Sequence, residues 1–242
     1  MTSFGSPRLH LRLTGSTNER ARELAAAGAP SGTVVTAAEQ TAGRGRHGRT
    51  WSAPAGRALL YSAILRPLEL AHALLPLAVP VAVCEAIESL APVGCRIKWP
   101  NDVWIDERKV AGVLIEARPP DWAVIGVGVN VAIAAEDFPG DLRWPAASIG
   151  HGATVDAVRE ALSPALGQWA EAPEQRVLTA FRERDGLAGR EVSWQGAATG
   201  SGSGVAAGVD RRGNLVVEVP DGERLSLGSG EVTLEVGDPA ER

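Results

Sequence analysis

Lysine is almost missing from this chain: of 24 basic side chains only Lys98 and Lys109 are lysines. Abundant Arg, Ala and Gly point to a coding bias that puts arginine wherever either cation would serve. A compact ammonium at two places then reads either as chance or as a site where a planar guanidinium would not do. Cysteine is limited to Cys84, in an apolar helical run, and Cys95, which opens a strand-like one. Neither has metal-ligand spacing, so both read as reduced core residues. No stretch has the pattern of a signal peptide and none reads as long and apolar enough to span a bilayer, so no membrane is expected and the expected compartment is the cytoplasm. The four histidines are scattered. No Ser/His/Asp set, Cys/His set or metal-ligand cluster is evident, which leaves no obvious nucleophile. A net charge of −5 argues against generic binding to nucleic acid.

Against that acidic background stands Gly43-Arg44-Gly45-Arg46-His47-Gly48-Arg49-Thr50-Trp51. Its glycines let backbone run close to a ligand, and its guanidinium forks fit phosphate and carboxylate oxygens. No hydrophobic period runs through it, so it is expected to be a loop. Gln40 and Thr41 before it and Trp51 at its end suit a ligand with a polar head and a phosphate-bearing purine. A solvated turn or a nucleic-acid patch is the plainer reading of this loop alone.

At 242 residues the chain can hold a large domain and a small one. Residues 8–13 alternate like a half-buried strand. Ser16 and Glu19 form a capping-box pattern that opens a helix ending at Gly28. Ser16, Thr17 and Asn18 thus read as a cap, as a small polar pocket, or as both. Strands are expected at 33–38 and 58–64, and a core helix over 71–90, with Pro76 in its first turn and Pro80 as a kink or later start. A strand at 95–99 breaks at Pro100-Asn101-Asp102 and resumes at 103–105. After a charged tip at 106–108, long strands follow at 109–116 and 122–131. Gly126 and Gly128 share a face of the last, forming a flat trough for a ligand or a seat for a helix. Helices are expected from Thr154 towards Trp169, interrupted near Pro164, and over 174–184. From Arg190 short strands alternate with Gly, Asp and Asn turns, which predicts a small antiparallel barrel joined at 185–190. Only Gly200-Ser201-Gly202-Ser203-Gly204 approaches low complexity.

The first domain therefore lines a sheet with positive charge and little else, the arrangement of an enzyme that positions and neutralises phosphate groups. The arginine loop with Trp51, Lys98-Trp99-Pro100-Asn101-Asp102, Lys109-Val110-Ala111-Gly112-Val113-Leu114-Ile115-Glu116 and Gly126-Val127-Gly128-Val129-Asn130 occur in an order that resembles the biotin protein ligases. The resemblance implies an α+β fold: a mixed, mostly antiparallel sheet with packed helices, similar to class II synthetases, over residues 1–187, and a small SH3-like β-barrel over 188–242. It implies that biotin and ATP give biotinyl-5′-AMP and pyrophosphate, and that biotin then passes to one lysine of the biotin carboxyl carrier domain of acetyl-CoA carboxylase or a related enzyme.

By position, the resemblance assigns biotin binding to Ser16, Thr17, Asn18, Gln40, Arg44, Gly45, Arg46, Lys109, Gly112, Gly126 and Gly128. It assigns the nucleotide to Arg46, Arg49, Trp51, Lys98, Lys109 and Asn130. The catalytic set is Lys109, Arg44 and Arg46, with Asp102 orienting or deprotonating the incoming amine. Mg2+ is expected with ATP, and no tightly bound prosthetic group. No helix-turn-helix pattern precedes Arg8, so DNA binding is not expected; the expected state is a monomer or weak homodimer. His47 stands where many relatives carry another arginine. Two rivals are a lipoate ligase, which would carry a different loop, and a non-catalytic RNA-binding module.

Overall fold

The computed structural model describes residues 3–140, 142, 144–196, 200–229 and 232–236. In chain order the first part comprises β1 (Arg8–Leu11), α1 (Thr17–Ala26), β2 (Val34–Ala37), β3 (Ala58–Leu65), α2 (Leu75–Glu88), β4 (Arg96–Lys98), β5 (Asp102–Ile105), β6 (Arg108–Arg118), β7 (Trp122–Asn130), α3 (Val155–Ala170) and α4 (Glu174–Glu183). Its seven strands form one sheet in the order β1-β2-β3-β7-β6-β5-β4. Every neighbouring pair is antiparallel except β1 with β2.

All eight residues of β3 are buried, so both faces of the sheet's centre are covered. The pleat sends Leu59, Tyr61, Ala63 and Leu65 into the large core beneath α2 and α3. Ile64, pointing the other way, packs with Ala21 and Ala25 of α1. Helix α1 covers only part of that second face. The remainder, where Ser62 of β3 and the glycines of β6 and β7 lie, is the floor of a cavity.

Several sequence expectations change. Ser16 occupies the N-cap of α1 but makes no side-chain capping bond; Glu19 instead lies 3.6 Å from Arg44 of the arginine loop. The expected interruption at Pro164 is absent, since α3 is continuous, with Thr154 Oγ1 capping Ala157 N at 3.2 Å. An internal proline costs about 3 kcal/mol; here its ring faces solvent while Leu162 and Leu166, on the inner side, are fully buried and anchor the helix. Pro80 likewise lies inside α2. A stretch long and apolar enough to cross a membrane does exist, Leu70–Glu88, but it is mostly buried in the core, where α2 packs between the sheet and α3. Cys84 and Cys95 are free and buried, and burial pushes the Cys84 thiol up, as suits inert core residues.

The C-terminal part comprises β8 (Glu191–Gly196), β9 (Gly200–Val209), β10 (Leu215–Glu218), β11 (Arg224–Leu227) and β12 (Val232–Val236). They form an antiparallel sheet in the order β11-β10-β9-β8-β12. Among the described residues β11 and β12 remain its edges, so the expected closed barrel is not seen. The glycine-serine run is regular β9 strand, and packing explains its glycines. A Cβ on Gly202 would come within 2.4 Å of Trp194, and one on Gly204 within 2.5 Å of the Glu218 carbonyl oxygen. This sheet meets the first part where Trp99 Nε1 donates to the Gly213 carbonyl at 3.0 Å and where Arg190 pairs with Glu107 at 2.6 Å.

Candidate active site

Sheet register assembles the site from motifs far apart in sequence. One row across the strands runs Lys98, Asp102, Gly112, Gly128, Leu60. The next runs Leu114, Gly126, Ser62, Val35. Residues in register on antiparallel strands share a face, so the two rows place the chemistry and the glycines on one surface. Lys109 would point to the opposite face by simple alternation from Gly112. A register shift where Val103 pairs with Ala111 and Trp104 with Lys109 inserts one residue, Val110, and turns Lys109 to the site side. Its Nζ then comes within 3.3 Å of where a Gly112 Cβ would stand.

The resulting cavity has a volume of about 230 Å³. Of the expected site residues, Ser16, Thr17, Asn18, Gln40, Arg44, Gly45, Arg46, Arg49, Trp51, Lys98, Asp102, Lys109, Gly112, Gly126 and Gly128 all line it. Asn130 does not. Its Nδ2 donates to the carbonyls of Lys109 at 3.3 Å and Ala147 at 3.1 Å, tying the strap 145–149 to the start of β6.

At one end sits a neutral polar cluster. Gln40 Oε1 accepts from Thr17 N at 2.6 Å and Thr17 Oγ1 at 2.9 Å, while Ser62 Oγ bridges Thr17 Oγ1 at 2.8 Å and Asn18 Oδ1 at 2.6 Å. Ser62 is fully buried, as are nearly all of Ser16, Thr17 and Asn18, so this end has fixed, dry hydrogen-bonding groups. Tyr61 also reaches the cavity wall, but its hydroxyl bonds Ser163 of α3 at 3.2 Å, and burial pushes its pKa up to about 12.

The other end is cationic. Lys109 Nζ pairs with Asp102 Oδ1 at 2.7 Å. Lys98 is buried, with Nζ 3.8 Å from the Trp144 ring centroid and 5.6 Å from that of Trp104. Arg46 and Arg49 come from the loop above. Burial lowers the Arg46 pKa while the Asp102 charge opposes that fall, and the guanidinium stays charged at neutral pH. His47, at the exposed loop tip, has its pKa lowered by desolvation and by Arg46 and Arg49. Its ring lines the cavity from the loop side.

The arginine loop is an ordered, closed turn. Trp51 N donates to Gly43 O at 3.0 Å and Gly45 N to Arg49 O at 2.7 Å. His47 and Gly48 take left-handed conformations at the tip, with φ of 54° and 72°. A Cβ on Gly43 would fall 2.3 Å from the Trp51 carbonyl oxygen, so only glycine closes the base. Trp51 itself lies on the glycine trough: a Cβ on Gly128 would come within 2.5 Å of its ring and one on Gly112 within 3.0 Å. The trough thus seats a flat ring, with Lys109 Nζ 5.6 Å from the ring centroid. Arg46 donates to the Ser229 carbonyl between β11 and β12, so the loop touches both parts of the chain.

Sequence reasoning missed Ser62 and Trp144, both of which lie at the site. Ser62 carried no signal beyond one hydroxyl inside an apolar strand. Trp144 lies in a segment without periodicity.

Residues 11–130 match the model of the biotin/lipoate A/B protein ligase family. The chain is 33% identical over 230 residues to the biotin–acetyl-CoA-carboxylase ligase of Mycobacterium tuberculosis, covering 90% of this chain and 85% of that protein. Its fold is similar to the biotin protein ligase of Aquifex aeolicus in complex with biotin and ATP, with a TM-score of 0.79 at 28% identity over 96% of this chain and 100% of that one. It is also similar to the Leishmania major biotin protein ligase in complex with biotinyl-5-AMP, with a TM-score of 0.65 at 26% identity over 93% and 99%.

Proposed function

The chain belongs to the biotin protein ligase family, and from that premise we propose how its own residues divide the work. It activates biotin with ATP, giving biotinyl-5′-AMP and pyrophosphate, and transfers biotin to a lysine of a carboxylase's biotin carrier. The observation that carries the assignment of roles is the polarity of one cavity: a neutral hydrogen-bonding end and a cationic end, joined by a glycine floor.

Ser16, Thr17, Asn18 and Gln40 receive the ureido ring, which needs both donors and an acceptor. Gly112 and Gly128 seat the Trp51 ring and Gly126 seats the Asn18 carboxamide, so a flat ligand lies against those groups above the glycine floor. Arg44, Gly45 and Arg46 fold over it. Lys109 lies where the biotin carboxylate meets the α-phosphate. In that position its ammonium offsets the repulsion of two anions and the charge that grows on the phosphoryl oxygens. Arg46, Arg49 and Lys98 neutralise the remaining phosphates, and Trp51 offers a face to the purine. Asn130 acts indirectly, holding the backbone from which Lys109 projects. Mg2+ enters as the counter-ion of the nucleotide substrate. Asp102, freed from Lys109 once phosphate takes that cation, orients the acceptor amine and takes its proton. The acyl-adenylate is a mixed anhydride that water destroys, so a closed loop protects it until the carrier docks.

We also read the chain as a catalytic domain over 1–187 and an SH3-like unit over 188–242. The test of the proposed activity is biotin-dependent exchange of labelled pyrophosphate into ATP: the exchange is expected with biotin, and its absence would overturn the functional assignment.

A further inference from the structure

We propose that Glu116 is a positioning residue for the neutral end of the cavity: it fixes which way the Asn18 carboxamide faces and so makes the floor at Gly126 a hydrogen-bond acceptor for ligand N–H groups. This rests on the reading of the cavity as a biotin site and specifies how that site selects its ligand.

Glu116 closes the Lys109–Glu116 motif yet does not line the cavity. Alternation along β6 puts it on the same face as Gly112 and Leu114, towards α1. Its Oε2 accepts from Asn18 Nδ2 at 2.9 Å, and the Leu114 carbonyl accepts from the same nitrogen at 3.3 Å. Both partners are pure acceptors. Turning the amide over would bring its own oxygen against two others, so the orientation is locked. The opposite side of the amide, Oδ1, therefore lies on the floor, 2.1 Å from where a Gly126 Cβ would be, where it accepts from Ser62 Oγ at 2.6 Å. A carbonyl oxygen keeps a second lone pair for a ligand. Gln40 is held in the complementary sense: its Oε1 takes both Thr17 donors, leaving Nε2 as the donor on the loop side. One fixed acceptor and one fixed donor match a cyclic urea, which presents N–H groups beside a carbonyl. A dithiolane ring presents neither. The second Glu116 oxygen pairs with Arg22 at 3.0 Å, and both of those side chains are partly exposed, so that pair adds little.

The experiment is a kinetic cycle in pyrophosphate exchange. In Glu116→Gln the new amide can offer N–H to residue 18, releasing Asn18 to turn over. The KM for biotin is expected to rise by about tenfold, the size of one lost hydrogen bond at a buried acceptor, with kcat and the KM for ATP within about twofold of wild type. Asn18→Asp alone puts two carboxylates in contact and is expected to raise the biotin KM at least as much. The double variant Asn18→Asp/Glu116→Gln restores an acceptor on the floor and a donor behind it, leaving only the Leu114 carbonyl opposed, and is expected to recover part of the loss. Arg22→Gln is the control and should leave the biotin KM within about twofold. Wild-type protein should also bind biotin methylated on the ureido nitrogens about tenfold or more weakly than biotin, a readout that needs no variant to fold. An unchanged biotin KM in Glu116→Gln, no recovery in the double variant, or equal binding of the methylated ligand would each overturn the proposal. A wild type with no biotin-dependent exchange overturns the functional reading instead.

Discussion

Lys109 and Asp102 face each other across 2.7 Å, and their pairing decides what each can do. A small ammonium can exchange one oxygen for another by a short swing; a guanidinium, planar and forked, cannot do so in the same space. Lys109→Ala is therefore expected to lower kcat/KM for pyrophosphate exchange by about 10²- to 10³-fold, the usual loss when a positioned charge stabiliser is removed, and Lys109→Arg to recover little of it. Asp102→Asn is expected to act on the other half-reaction. Single-turnover transfer from preformed adenylate to a carrier lysine should slow by about 10²-fold or more while adenylate formation falls far less. The scarcity of lysine made Lys98 and Lys109 visible in the sequence, whereas the bulge that aims Lys109 was not, because a register shift depends on the partner strand. Tyr61, the only tyrosine, supplies a separate check on packing. Burial raises its pKa from 10.0 to about 12, so its neutral form contributes stability that is fully present below pH 10 and is lost as pH rises towards about 12. Ultraviolet titration should show one phenolate appearing near pH 12 in the folded protein and near 10 after unfolding; a midpoint near 10 in the folded protein would contradict the buried placement.

Among the elements, the arginine loop depends on contacts at its base and on Arg46 reaching the Ser229 carbonyl. Arg46→Gly removes that tie and a cation from above the cavity. Release of the adenylate and labelling of bystander lysines are expected to increase by about tenfold as the lid loosens. Labelling of a bystander protein at equal adenylate formation measures this, and an unchanged rate would count against the loop as a seal. In the C-terminal sheet, Gly202 leaves room for Trp194. Gly202→Val should overpack that contact and cost about 1–3 kcal/mol, seen as a lower urea midpoint with little change in the biotin KM.

Taking the molecule as a whole, alternation and helical period showed where most strands and helices lie, since these follow from local burial. They could not show that β3 lies beside β7, or that Lys98, Asp102, Gly112 and Gly128 form a single row; that order is set by pairing across long separations. The same limit hid the hydrogen bond by which Asn130, expected at the nucleotide, clips a strap formed by residues 145–149. It also explains Ser16, whose capping pattern was plain while its partner Glu19 turned to Arg44. The glycine trough was legible, but not that Trp51 would lie on it. What unites these parts is one enclosed surface on which biotin is activated and then handed to a lysine. The most direct measurement is intact-mass spectrometry of a purified biotin carrier domain after incubation with the protein, biotin and MgATP. The account predicts one added biotinyl group on the carrier, dependent on ATP and formed about 10²- to 10³-fold more slowly by Lys109→Ala. An unmodified carrier, or an equal initial rate of labelling by the Lys109→Ala variant, would contradict it.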